Sequence, residues 1–227
     1  LGSLNIKKNA ELNFGNSGTL ARLLVGILST TPNIEIKIKG DKSLNKRSMK
    51  NLIKLMTDFG AFFLPKKKFT FPLKLISSEI PIGTNYKAGV SAQLKSAVIL
   101  AGLNSFGNTT IEEKNLSRNH TENILKKNTK SIKINGTSKK IIKIFGKNNL
   151  QPLKMDVPSD PSSAAFFTAL TLLNKDSKLI IKNVGLNPTR IGFYKLLKAQ
   201  GSHIKFKNLK NINKEVIGDI YVKSSKM

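Results

Sequence analysis

Four arginines, Arg22, Arg47, Arg118 and Arg190, are the side chains in this sequence most able to do specific chemistry. They stand among 39 basic residues, the rest all lysine, against 13 acidic ones, for a formal net charge of +26. Lysine serves wherever charge alone is wanted. An arginine kept in so lysine-rich a chain implies a need for a planar fork that grips a carboxylate or phosphate with paired hydrogen bonds. The lysines run along the whole chain beside abundant Asn and Ile, which is a compositional drift rather than a binding stripe. The charge therefore does not by itself argue for nucleic acid.

Arg47, Arg118 and Arg190 fall 71 and 72 residues apart. Each follows a polar turn and sits at or near a helix start. The turns are Asp41-Lys42-Ser43-Leu44-Asn45-Lys46, Asn115-Leu116-Ser117 and Asn187-Pro188-Thr189, rich in N-cap residues. About 25 to 30 residues earlier lies another helix start, at Asn16-Ser17, Ser91 and Ser162, with the serines 74 and 71 apart. The first of these helices carries Leu20, Leu23, Leu24, Ile27 and Leu28 in an amphipathic stripe. The second helix of a copy shows Met49, Leu52, Ile53 and Met56, or Phe193, Leu196 and Leu197, and closes at Gly60, Asn128 or Gly201, residue types that accept a left-handed C-cap. Strand-like runs cover 33–39, 139–145, 178–182, 203–207 and 219–223. The pattern predicts helix, strand, helix, strand, strand, three times over, in an α/β architecture. A break is expected at 155–160, where Pro158 interrupts.

Other classes are bounded by composition. With 39% apolar residues the chain is not disordered, and no apolar run approaches the ~18 residues of a membrane span. No cysteine is present, which excludes disulfides, zinc thiolates and a cysteine nucleophile, and makes a reducing cytoplasm the default. No basic-then-apolar leader opens the chain. Neither end reads as a natural terminus, so truncation at both is expected.

Each motif has a plain reading beside a functional one. Gly15-Asn16-Ser17-Gly18-Thr19 opens a helix, where free N–H groups attract anions, or is an ordinary capped start. Lys46 and Arg47 put two cations at a helix start against the dipole, which an anionic ligand would compensate. Ser91-Ala92-Gln93 begins a helix apolar almost all round, hence buried, and its Ser and Gln either cap it or face a ligand. His120 beside Glu122 reads as a structural hydrogen bond, Arg22 as one end of a salt bridge within its domain, and Asp160-Pro161-Ser162 as an N-cap.

In this order, Gly15–Thr19, Gly40–Met49, Ser91–Ser96 with Leu100-Ala101-Gly102-Leu103, and Ser117-Arg118-Asn119-His120-Thr121-Glu122 resemble the 5-enolpyruvylshikimate-3-phosphate synthases, especially the bacterial subgroup whose members tend to resist glyphosate. Asp160-Pro161-Ser162-Ser163-Ala164 and Asn187-Pro188-Thr189-Arg190 extend the match over nearly the whole chain. The resemblance implies a two-domain enolpyruvyl transferase fold, an inside-out α/β barrel of six βαβαββ units, of which about three would be present. Residues 1–157 would be the latter part of the first domain and 158–227 the opening unit of the second. It implies that Gly18, Arg47 and Gln93 bind phosphoenolpyruvate, and that Ser91, Ala92, Gln93 and Arg118 bind 3-phosphoshikimate. It implies enolpyruvyl transfer without metal or cofactor, by a cytoplasmic monomer that engages neither nucleic acid nor membrane.

The family's acid–base pair, an Asp and the Glu of a Lys-Glu-x-Asp-Arg block, is not found before Met227, so no catalytic residue is assigned and the chain alone is expected to bind substrates poorly and to catalyse nothing. Because family members with Ala at the place of Gly18 crowd the inhibitor, the resemblance also implies glyphosate sensitivity in the complete enzyme. The rival readings are the sister transferase acting on a UDP-sugar, an RNA-end-modifying enzyme of similar units, and a non-enzymatic binding module.

Overall fold

A computed structural model describes residues 10–126, 128–212 and 214–224. The chain divides into two compact units: residues up to Ser117 together with Leu125–Gln151, and Arg118–Ile124 together with the residues from Pro152 onward.

The first unit holds two copies of one topology. In the first copy β1 (Glu11–Asn13), α1 (Gly18–Ser29), β2 (Glu35–Lys39), α2 (Lys50–Asp58), β3 (Phe62–Leu64) and β4 (Leu73–Ile76) form a sheet of order β1-β2-β4-β3. The second copy runs β5 (Asn85–Ala88), α3 (Ala92–Leu103), β6 (Asn108–Glu113), β7 (Ile132–Asn135) and β8 (Lys140–Phe145), in the matching order β5-β6-β8-β7. In each the first strand pairs parallel to the second and the rest is antiparallel.

In the second unit all but the last residue of α4 (His120–Leu125), the short second helix of copy two, accompanies α5 (Pro161–Leu173), β9 (Lys178–Gly185), α6 (Gly192–Ala199), β10 (Ile204–Ile212) and β11 (Glu215–Lys223). The sheet order β10-β11-β9 repeats the arrangement without its first strand, and a single parallel bridge, Ser159 to Val184, stands in that strand's place. The repeated βαβαββ architecture expected from the sequence is thus present.

Two features differ from the pattern reading. The leading strands β1 and β5 escape it because three or four residues, half of them exposed, offer too little alternation to register as strands. The α1 stripe is also offset. Ala21, Val25, Gly26 and Leu28 are fully buried, whereas Leu20 is 45% exposed. The reason is a backbone approach: a Cβ on Gly26 would lie 2.6 Å from the carbonyl oxygen of Ala97 on α3. At that closest approach the two residues, Gly26 and Ala97, are small. In α6, likewise, Tyr194 is buried while Phe193 and Leu196 stay exposed.

The helix ends behave as their residues dictate. Gly60 and Gly201 take φ of +93° and +87°, the left-handed closure expected of them. The Asn128 side chain serves elsewhere: its Oδ1 accepts the Gln151 N–H at 2.7 Å, a bond outside α4.

The α1–α3 seam sets the site. The two helices run side by side from Thr19 opposite Gln93, through Gly26 against Ala97, to Thr30, whose carbonyl accepts Asn104 Nδ2 at 2.5 Å. Both N-termini therefore open at the same end of the unit, over a core that includes Val25, Ile36, Ile38, Leu75, Val98 and Ile142.

Candidate functional site

At that end the Ser17 hydroxyl caps α1 by accepting the Leu20 N–H at 3.1 Å. The N–H groups of Gly18 and Thr19 keep no intramolecular acceptor among the described residues. One turn along, Arg22 Nη1 donates to the Gly18 carbonyl at 2.9 Å and to Gln93 Oε1 at 3.0 Å. Gln93 in turn donates through Nε2 to Thr19 Oγ1 at 2.7 Å, so both ends of its amide are committed in one orientation.

Arg47 arrives from the other side. Its Nη2 donates to Asn16 Oδ1 at 3.1 Å, and its Nη1 would lie 3.3 Å from a Cβ placed on Gly18. Arg22 Nη1 would lie 2.8 Å from the same point, so two guanidinium groups converge on Gly18. Neither has a carboxylate partner among the described residues. Burial first, and the charge of Arg47 second, hold the Arg22 pKa below its ordinary value, although a guanidinium stays charged. Two unneutralised guanidinium groups at a helix N-terminus bearing free N–H groups make a cradle for an anion.

Several sequence expectations change here. Arg22 forms no salt bridge among the described residues; it donates to the Gly18 carbonyl and to Gln93. Lys46 and Arg47 do not stand at an α-helix start. They close a 3₁₀ turn, Leu44–Lys46, and α2 begins only at Lys50, so the argument from helix-dipole opposition does not apply. His120 bonds Glu215 Oε1 through Nδ1 at 2.9 Å rather than Glu122. Ser91 is resolved as the α3 N-cap, accepting the Leu94 N–H at 3.4 Å, with Ala92 the first helical residue. The structure thus brings Gly18, Arg47 and Gln93 together, with Ser91 and Ala92 at the same helix start as Gln93. Arg118 is exposed and belongs to the other compact unit. Pattern reading missed Thr19 and Asn16 as partners, and only the Gly15–Thr19 helix-start motif could have pointed to them.

The second unit shows the same device already filled. Asp160 caps α5, accepting the Ser162 N–H at 3.2 Å as its sequence suggested, and Arg190 donates through Nη2 to Asp160 Oδ1 at 2.5 Å and to Ser162 Oγ at 2.6 Å. The repeat's arginine here closes on a resident carboxylate at the first helix of its copy. In the first copy that arginine is Arg47, and the neutral Asn16 faces it. A cavity of about 270 Å³ beside this pair is lined by His120, Pro158, Asp160, Arg190 and Glu215 among others. Glu215 is itself fully engaged, by His120 and Asn123 on Oε1 and by Asn187 on Oε2. Among the described residues no three His, Asp or Glu side chains converge as a metal site, and no helix is long and apolar enough to cross a membrane.

The family model for EPSP synthase (3-phosphoshikimate 1-carboxyvinyltransferase) matches residues 1–226. The chain belongs to the EPSP synthase family. It is 41% identical over 224 residues to the 3-phosphoshikimate 1-carboxyvinyltransferase of Petrotoga mobilis, covering 98% of this chain and 51% of that one. To the enzyme of the same name from Caldicellulosiruptor saccharolyticus it is 42% identical over 221 residues, covering 95% and 50%. The chain therefore spans about half the length of the curated relatives it matches. Among solved structures, the EPSP synthase of Acinetobacter baumannii superposes with a TM-score of 0.78 at 34% identity, over 95% of this chain and 48% of its own. The enolpyruvyl transferase NikO of Streptomyces tendae, at 14% identity and TM-score 0.64 over 91% of this chain and 46% of its own, shares the fold.

The ion pair at α5 carries a pH signature. Burial works to raise the Asp160 pKa, but the Ser162 N–H and the charge of Arg190 outweigh it and hold the carboxyl below its ordinary 3.8. A depressed carboxylate pKa stabilises fully above the unfolded value and loses that effect as pH falls through the folded one. Asp160→Asn is expected to lower the urea midpoint at neutral pH, with the gap to the unaltered protein closing below pH 3.8. A gap that stays constant down to about pH 2 would contradict this assignment.

Proposed function

We propose that this chain is part of an enzyme that transfers the enolpyruvyl group of phosphoenolpyruvate to the 5-hydroxyl of 3-phosphoshikimate, releasing phosphate. The observation that carries the reading is the pair of unneutralised arginines, Arg22 and Arg47, closing on the N-terminus of α1 at Gly18. Both substrates carry a carboxylate and a phosphate, and such a cradle suits either group. In this reading Gly18, Arg47 and Gln93 hold phosphoenolpyruvate, the helix start Ser91-Ala92-Gln93 and the fork of Arg118 hold 3-phosphoshikimate, and neither metal nor cofactor takes part. The Asp160–Arg190 pair supports it by analogy, since a carboxylate there fills the place left for a ligand in the first copy.

The relatives' length frames the rest. Residues 1–157 close a first domain, and 158–227 open a second whose further copies cover apolar side chains such as Phe166, Leu170 and Leu173, which are 79%, 60% and 73% exposed here. Acid–base catalysis then comes from residues outside this chain. The protein acts as a cytoplasmic monomer, with no nucleic-acid or membrane partner.

In the protein extended to the length of its relatives, phosphate release from phosphoenolpyruvate is expected only when 3-phosphoshikimate is present. Arg47→Ala should reduce kcat/KM by about 100-fold or more, as loss of a charged hydrogen-bonding fork does. Release driven by a UDP-sugar instead would keep the fold and discard the acceptor. Glyphosate is expected to inhibit this enzyme. A methyl at Gly18 would press on both guanidinium ends, so Gly18→Ala should raise the inhibition constant about 10-fold or more; an unchanged constant would sink that role for Gly18.

A further inference from the structure

The first turn of α3 hides a charge. Lys95 and Glu113 are both fully buried, and Lys95 Nζ meets Glu113 Oε1 at 2.7 Å. The same oxygen accepts the Ser117 backbone N–H at 2.8 Å and the Ser117 hydroxyl at 2.7 Å. Three donors thus converge on one carboxylate oxygen at the end of β6. Burial would raise the Glu113 pKa, but Lys95 and the two Ser117 donors overcome it, and the carboxyl stays ionised.

A buried ion pair is weak evidence of a purely stabilising role. A cation in the first turn of a helix opposes the helix dipole, and an apolar pair of equal volume commonly serves a core as well as a buried ion pair. What an apolar pair cannot do is accept two hydrogen bonds from Ser117. That residue directly precedes Arg118, and Lys95 stands one turn beyond Ser91 and Ala92. The ion pair therefore joins the helix start that carries Ser91 and Ala92 to the turn from which the Arg118 segment departs.

We propose that Lys95 and Glu113 are positioning residues for the acceptor substrate: by holding Ser117 they fix the end of the turn Asn115–Ser117, from which Arg118, the residue read as holding the 3-phosphoshikimate phosphate, follows directly in the chain. The proposal rests on the functional reading above. It assigns the pair an effect on one substrate only, because the phosphoenolpyruvate contacts are tied to α1 instead: Gln93, although on α3, is held by Arg22 and Thr19, and Arg47 by Asn16.

The test uses the protein extended to its relatives' length and three variants: the double change Lys95→Met with Glu113→Leu, Ser117→Ala, and Ser117→Thr. Folding is checked by urea denaturation, and kcat and both KM values are measured. In the double variant the KM for 3-phosphoshikimate is expected to rise about 10-fold, with that for phosphoenolpyruvate within about two-fold. Ser117→Ala should give a smaller rise in the same KM alone, and Ser117→Thr, which keeps the hydroxyl, should restore it. Should the double variant fail to fold, the two Ser117 variants decide. Unchanged KM for 3-phosphoshikimate in folded variants, or equal rises for both substrates, overturns the proposal while leaving the transferase reading intact. An unaltered enzyme that releases no phosphate with 3-phosphoshikimate overturns both.

Discussion

Helices α1 and α3 touch backbone to backbone, and the first unit is organised around that contact. With no side chain at Gly26, the α1 backbone closes on the Ala97 carbonyl, and two parallel helices start level with each other. Parallel neighbours that begin together put two N-termini side by side, and each brings its own unfilled N–H groups and positive end. Level starts let Gln93 of one helix bridge Thr19 and Arg22 of the other.

The electrostatics follow from that geometry. A cluster of two guanidinium groups at a helix N-terminus is unfavourable by itself, and the lowered pKa of Arg22 records the strain between burial, a like charge and the need to stay ionised. The third copy resolves the same conflict internally, with Asp160 between Arg190 and α5. The first copy leaves it open. A position left charged and open in this way suits an anionic ligand. Charge spread over a surface attracts anions without choosing among them, whereas a planar arginine fork can discriminate by geometry.

Much of this was legible from residue type and spacing. The arginines at 47, 118 and 190, the serine caps and the closing glycines marked the repeat, because caps and C-terminal glycines answer to local backbone chemistry that a sequence displays directly. The short strands β1 and β5 were not legible, since a three- or four-residue parallel strand is held by its neighbour rather than by its own pattern. The buried face of α1 was misplaced by the same logic: the residues that matter at a close helix crossing are the small ones, which hydrophobic periodicity ignores. The role of Arg22 depended on Gln93, 71 residues away, and that of Lys95 on Glu113 across a helix–strand contact. Side-chain partners brought together by tertiary packing leave no trace at fixed spacing.

The central claim, that the α1 N-terminus with Arg22 and Arg47 is an anion cradle, is tested most directly by titrating the protein extended to the length of its relatives with phosphoenolpyruvate, at constant ionic strength, while following backbone amide resonances. The account predicts saturable shifts at the amides of Gly18 and Thr19, whose N–H groups are uncommitted, and their loss in Arg47→Ala. Small, non-saturating shifts spread over the lysine-rich surface, with Gly18 and Thr19 unmoved, would contradict it.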